Sequence, residues 1–180
     1  LYTPLDMKAS CNHESDADST RMSNVVRRSS SGEWQVRWKP GDAPDYPFPR
    51  GSGGMVSSAK DYACFCQMML CAGNVDGQQL LHASLVGEAI NPQTEHIAAA
   101  SSYGLGWVVT ESGGVFSHGG SDGTWVWVDP QRQLIGMVLT QTQGRPAIRQ
   151  ASRQPPNRRP TACESRSRVR QTWDMGGRDP

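Results

Sequence analysis

Two helices are predicted where apolar residues recur at helical spacing. The stripe of the first follows Ser58 at intervals of three and four positions and consists of Tyr62, Phe65, Cys66, Met69 and Leu70. Such a stripe faces a core. Ser58 and Asp61 have the spacing of an N-cap and its partner in a capping box, and Gly73 suits the C′ position. A second helix is predicted over residues 83–90, and it ends before Pro92.

Strands are predicted in the second half of the chain. They cover residues 103–110, 115–118, 124–128 and 134–140, where β-branched and aromatic residues are frequent. The links between them are short, including Gly113-Gly114 and a turn over residues 129–132, so we expect antiparallel pairing in a meander. Because the last run is almost wholly apolar, both of its faces are expected to be covered.

The first third of the chain is less regular. Residues 1–32 are polar and rich in Ser, which predicts a loop, and the prolines of residues 39–50 predict an extended surface segment. Between them, Trp34, Val36 and Trp38 alternate with polar residues, which predicts a short, half-buried strand. A binding platform made of the paired Trp side chains is the alternative for this strand.

Charge is balanced overall but unevenly placed. The 180 residues carry a net charge of +1, which gives no general preference for nucleic acid or acidic ligands. After residue 144, nine Arg face only Glu164, Asp174 and Asp179. We therefore divide the chain into one domain over residues 1–144 and an Arg/Pro-rich, disordered tail over residues 145–180. Since Trp173 is the only aromatic residue of the tail, no nucleic-acid partner is expected.

The cysteines indicate neither a metal site nor a disulfide framework. Cys64, Cys66 and Cys71 fall on the first predicted helix, where their side chains point apart. Neither they nor Cys11 and His13 have the spacing of zinc ligands, so no metal and no cofactor are expected. The sequence contains no run of about 20 apolar residues, which predicts no membrane span. It shows no signal peptide and begins without Met, which indicates a fragment.

A His bordered by glycines is the strongest chemical signal. The strand predicted over residues 115–118 ends in His118, and Gly119 and Gly120 follow it. Glycines leave the backbone open, so main-chain N–H groups can face a ligand that lies beside the strand. A Gly-rich hairpin with one polar residue at its tip is the alternative explanation.

Four segments resemble the C-terminal part of the β-lactamase-related serine hydrolases, the group that holds class C β-lactamases, DD-peptidases and related esterases. They are residues 3–10 (TPLDMKAS), 51–81 (GSGGMVSSAKDYACFCQMMLCAGNVDGQQLL), 103–107 (YGLGW) and 117–141 (SHGGSDGTWVWVDPQRQLIGMVLTQ). The resemblance implies a β-lactamase/transpeptidase-like fold of the α+β class, with an antiparallel sheet flanked by helices. It implies that this fold is incomplete here.

The resemblance also implies a chemistry. Enzymes of this group use a Ser-x-x-Lys motif whose Ser is acylated, a second motif with a Tyr, and a third motif on the strand beside the active site. His118-Gly119-Gly120 matches the third motif, and the N–H of Ser121 would be one oxyanion donor. The implied partner is a small-molecule or peptide acyl substrate, an ester, amide or β-lactam. The implied location is the periplasm or the cell exterior.

Two departures from the family pattern limit this expectation. The Tyr motif is absent, and the only Ser-x-x-Lys, Ser57 to Lys60, lies in a segment that matches a structural helix entry of the family. We therefore expect a fragment that lacks the nucleophile and is inactive alone. One alternative is a non-catalytic relative that binds peptides or cell-wall fragments, and another is an interaction protein that acts through its basic tail.

Overall fold

The computed structural model describes residues 1–12, 15–43, 53–94, 96–97, 102–110 and 114–143. The tail predicted over residues 145–180, and Gly113 of a predicted turn, lie outside these ranges. The elements are α1 (Asp16–Ser19), β1 (Val25–Arg28), β2 (Trp34–Trp38), α2 (Ala59–Leu70), β3 (Asn74–Val75), β4 (Gln78–Gln79), α3 (Ala83–Ala89), β5 (Val108–Val109), β6 (Phe116–Gly119), β7 (Thr124–Asp129), β8 (Leu134–Leu139) and β9 (Thr142–Gln143).

The central sheet is antiparallel and has the order β5-β6-β7-β8. This is the predicted meander, which is confirmed. Phe116 of β6 lies opposite Val128 of β7, and both are buried on the face that carries the core. The expectation that both faces of the last strand are covered is wrong in the described structure. No residue of β8 is buried, and Leu139 is 49% exposed. An apolar strand at the edge of the described sheet has a neighbour on one side only.

Helix α2 covers the core face of this sheet and packs against β7 and β8. Its N-cap is as predicted, since the Ser58 side chain accepts a hydrogen bond from Asp61 N at 3.1 Å. The reciprocal bond of a capping box is not formed, because the Asp61 carboxylate accepts hydrogen bonds from Ala9 N and Ser10 Oγ. Cys66 and Met69 of the predicted stripe are buried in the core, and Val86 of α3 joins them. Helices against an antiparallel sheet confirm the α+β class. No helix within the described residues is long and apolar enough to cross a bilayer.

The strand predicted over residues 103–110 is wrong for its first half. Only Val108–Val109 form β5, and Tyr103 makes a single antiparallel bridge back to Val108. The chain reverses its direction between Tyr103 and Val108. Within this reversal Gly106 has a φ of +85°, a conformation that residues with an L side chain rarely adopt. Trp107 drives this fold because its ring is buried in the core, where it packs edge-on against Phe116.

A second sheet has the order β2-β1-β9. Strand β1 is antiparallel to β2 and parallel to β9. It lies within residues 1–32, for which the sequence predicted a loop, so that prediction is wrong for β1. Strand β2 has the predicted bounds, but the expectation of a half-buried Trp face is wrong for two of its residues. Trp34 is 52% exposed and Val36 is 57% exposed.

Candidate active site

His118 lies where the core face of β6 reaches solvent. It stands two positions after Phe116, so both side chains are on the same face of the strand. Phe116 is 1% exposed, whereas His118 is exposed. Strand β5 pairs with β6 only at Phe116 and Ser117. Within the described residues, the β5 side of β6 is therefore open at His118, as a strand that receives a ligand requires.

Gly119 and Gly120 face side chains of β7 at close range. A Cβ atom added to Gly119 would lie 2.5 Å from Cε3 of Trp125, the residue opposite it in the sheet. A Cβ atom added to Gly120 would lie 2.3 Å from Oγ1 of Thr124. Packing within the hairpin thus requires the first glycine of the His-Gly-Gly segment, whereas at Gly120 a rotation of the Thr124 hydroxyl could relieve the contact, and the sequence did not reveal this difference.

A tight turn joins β6 to β7. Gly120 N donates to Thr124 O at 2.9 Å, and Gly123 N donates to Gly120 O at 3.3 Å. Gly123 has a φ of +88°, and an added Cβ would lie 2.6 Å from Thr142 O. This is the three-residue hairpin loop in which a β-turn is followed by a left-handed residue. Ser121 occupies the second position of the turn.

The N–H of Ser121 is available to a ligand. In a β-turn the internal hydrogen bond joins the first and fourth residues, so the second residue has no acceptor within the turn. The Ser121 N–H makes no hydrogen bond to any other described residue. Its side chain is engaged, since Ser121 Oγ donates to Asp122 Oδ1 at 3.5 Å. The residue chosen from sequence therefore presents a free main-chain donor three positions after His118.

Two side chains connect this turn to β9 and to the residues just before β9. Thr140 Oγ1 donates to Gly123 O at 2.9 Å, and Gln143 Nε2 donates to Asp122 Oδ1 at 2.8 Å. Since β9 pairs with β1, the turn is tied to the second sheet as well as to its own hairpin. Sequence reasoning missed this support because it depends on contacts between residues about twenty positions apart.

The structure does not bring Ser57 and Lys60 together. Ser57 Oγ lies 2.8 Å from Ser10 Oγ, and Ser10 Oγ also donates to Asp61 Oδ2 at 2.9 Å. Among the described residues, Ser57 has no hydrogen bond to Lys60, whose side chain is exposed on α2. This serine belongs to a polar cluster that joins the segment before residue 12 to the start of α2.

An aromatic neighbour of His118 was also missed. The rings of Tyr103 and His118 pack edge-on, with centroids 6.3 Å apart and an interplanar angle of 75°. The fold of residues 103–107 places Tyr103 there, and a sequence read as one continuous strand did not predict it.

The sequence comparisons identify the family. The family model described as Beta-lactamase matches residues 1–154. The chain belongs to the beta-lactamase family. This family contains the predicted serine hydrolase-like group, so the expected family is confirmed. No curated protein sequence matches the chain significantly.

Solved structures show the beta-lactamase-like fold. Simvastatin synthase (LovD) from Aspergillus terreus is 16% identical, with a TM-score of 0.63 over 85% of this chain and 45% of that one. Its LovD6 mutant is 19% identical, with a TM-score of 0.62 over 85% and 46%. EstCE1, a hydrolase with promiscuous acyltransferase activity, is 19% identical, with a TM-score of 0.54 over 79% and 44%. The chain thus spans less than half the length of these neighbours.

Proposed function

We propose that this beta-lactamase family chain supplies the third motif and one oxyanion donor of a serine hydrolase site. The nucleophile of that site would lie on a segment outside these 180 residues. The observation that supports the proposal most directly is the N–H of Ser121, which makes no hydrogen bond to a described residue and lies three positions after His118 in a turn that Thr140 and Gln143 hold. A donor that is fixed before the substrate arrives needs no reorganisation when negative charge develops.

The proposed reaction passes through an acyl-enzyme. The serine nucleophile attacks the carbonyl carbon of an ester, amide or β-lactam, and the carbonyl oxygen becomes an oxyanion that the Ser121 N–H stabilises. Collapse expels the leaving group, and water then hydrolyses the acyl-serine to release the acid. His118, at the open side of β6, would position the substrate acyl group beside that donor. The neighbour EstCE1, described as a hydrolase with promiscuous acyltransferase activity, supports acyl chemistry of this kind.

The decisive variant is Ser121→Pro. Proline lacks an N–H, and it is well accommodated at the second position of a β-turn, so the change removes the donor while keeping the turn. It would be made in the protein expressed with the sequence that precedes Leu1 in its reading frame, and assayed on p-nitrophenyl esters and nitrocefin. We expect kcat to fall about 10²–10³-fold, the cost of one oxyanion donor.

Ser121→Ala is the matched control, because it retains the N–H and removes only the hydroxyl. We expect it to keep kcat within a few-fold of the parent. Equal activity of Ser121→Pro and Ser121→Ala would refute the oxyanion role of this N–H. Binding of acyl compounds without turnover by the longer protein would favour a non-catalytic relative instead.

The 180-residue chain alone should not hydrolyse these substrates. The reason is that Ser57 is hydrogen-bonded to Ser10 and makes no hydrogen bond to Lys60 among the described residues, so the Lys of this motif is not placed to accept the serine proton. Ser57→Ala is the control. Turnover by the chain that disappears in Ser57→Ala would show that the nucleophile is present after all.

A further inference from the structure

The backbone of Tyr103 is held in a fixed place by hydrogen bonds. Tyr103 O accepts a hydrogen bond from Gln93 N at 2.7 Å, and Tyr103 N donates to Thr94 Oγ1 at 3.0 Å. The next residue is equally confined, because a Cβ atom added to Gly104 would lie 2.2 Å from Ala89 O at the end of α3. The Tyr103 ring therefore projects from a segment with little freedom.

The core fixes the other end of this segment. Gly104 N donates to Trp107 O at 2.7 Å, and Trp107 is 4% exposed. The Trp107 ring stacks on Phe65 of α2, with centroids 6.0 Å apart and an interplanar angle of 11°. Any displacement of Tyr103 would have to disturb α3, α2 or both.

His118 has no comparable restraint of its own. It is exposed, and its side chain forms no hydrogen bond with a described residue. Among the described residues, the ring that contacts the imidazole is that of Tyr103, which packs edge-on against it. The Tyr103 hydroxyl likewise forms no hydrogen bond with a described residue, so the contact depends on the ring and not on the phenol oxygen.

We propose that Tyr103 is a positioning residue that selects the side-chain rotamer of His118 needed in the acyl-transfer site. The catalytic meaning of this rotamer rests on the proposed function, whereas the contact itself does not. Edge-on aromatic pairs favour one arrangement by roughly two- to tenfold in population. A preorganised His118 would place the substrate carbonyl near the Ser121 N–H without a search among rotamers.

The contact can be tested by NMR on the 180-residue chain, with the His118 ring protons assigned through His118→Gln. We expect these protons to be displaced by the Tyr103 ring current. Tyr103→Phe should keep the displacement and Tyr103→Leu should abolish it, while the resonances of His82 at the N-cap of α3 stay unchanged in both. Unchanged His118 shifts in Tyr103→Leu, or their loss in Tyr103→Phe, would overturn the proposal.

A second measurement, chemical modification of the His side chains, can be made at low protein concentration, where association between chains does not interfere. Diethyl pyrocarbonate modifies exposed imidazoles, and mass spectrometry reports the rate at each His. We expect Tyr103→Leu to raise the rate at His118 two- to tenfold and to leave the rate at His82 unchanged. Equal rates at His118 in wild type and Tyr103→Leu would contradict the proposal.

The catalytic consequence is separable from the proposed function. In the protein expressed with the sequence that precedes Leu1, Tyr103→Leu should lower kcat two- to tenfold with little change in KM. Tyr103→Phe should keep the kcat of the parent. Unchanged kcat in Tyr103→Leu, alongside a large loss in Ser121→Pro, would overturn the positioning role and leave the oxyanion role intact. No effect of Ser121→Pro would instead count against the proposed function.

Discussion

Gly119→Ala tests why the His-Gly-Gly segment needs its first glycine. The added Cβ atom would lie 2.5 Å from Cε3 and 2.7 Å from Cζ3 of Trp125. Carbon atoms pack at about 3.5–4.0 Å, so the overlap is about 1 Å. The indole is rigid and lies against the strand opposite, which means that the whole Trp125 ring or the backbone of β6 must move.

The cost follows from this overlap. Overpacking of one methyl group in a well-packed region typically costs about 1–3 kcal/mol of unfolding free energy. For a chain of this size, each kcal/mol lowers the melting temperature by about 2–4 °C, so we expect a loss of about 2–12 °C. Circular dichroism melts and urea titrations on wild type and Gly119→Ala measure it.

Gly87→Ala is the matched control. Gly87 lies within α3, and no heavy atom lies within 4 Å of its added Cβ. Alanine there should stabilise the helix by up to about 1 kcal/mol, the opposite sign. In a Trp125→Leu background the Gly119→Ala penalty should shrink, because the obstructing ring is gone. A wild-type melting temperature for Gly119→Ala, or a penalty that persists without Trp125, would refute this reasoning.

Three further predictions follow from buried or exposed side chains. Asp61 accepts hydrogen bonds from Ala9 N at 2.7 Å and from Ser10 Oγ, so Asp61→Ala leaves two donors without this acceptor. At about 1–3 kcal/mol for each donor, the unfolding free energy should fall by about 2–6 kcal/mol in urea titrations, a loss that Asp61→Asn should partly avoid. Burial raises the pKa of Cys66 from about 9 to about 12, so its contribution to stability is present below pH 9 and is lost as the pH rises toward 12. Cys66→Ala should therefore reduce the decline of stability over that interval in urea titrations. Exposed Trp34 and Val36 should bind a hydrophobic dye, and dye fluorescence should fall in Trp34→Gln with Val36→Gln.

Local signals were enough to predict α2 and the hairpins of the central sheet. Ser58 caps α2 with its own side chain, and the apolar stripe repeats over three turns, so neighbours in sequence determine the helix. The turn after Asp129 is equally local, because Asp129 Oδ1 accepts from Arg132 N at 3.0 Å. His118 was selected as a candidate for a similar reason, since its glycines adjoin it in sequence.

The missed features depend on distant residues. Residues 103–107 have the composition of a strand, but the burial of Trp107 between α2 and β6 folds them back. Strand β1 forms because β2 and β9 pair with it, and β9 is more than a hundred positions away. The exposure of Trp34 depends on what packs against β2, which alternation along a strand does not report.

These distant contacts determine how the proposed site is built. The Ser121 N–H is useful as a donor only if its turn does not relax toward a ligand, because a donor that must reorganise loses much of its electrostatic advantage. Gln143 of β9 and Thr140, just before β9, hold the turn from one side, and the packing of Gly119 against Trp125 holds it from β7. The proposed oxyanion side is therefore organised within this chain.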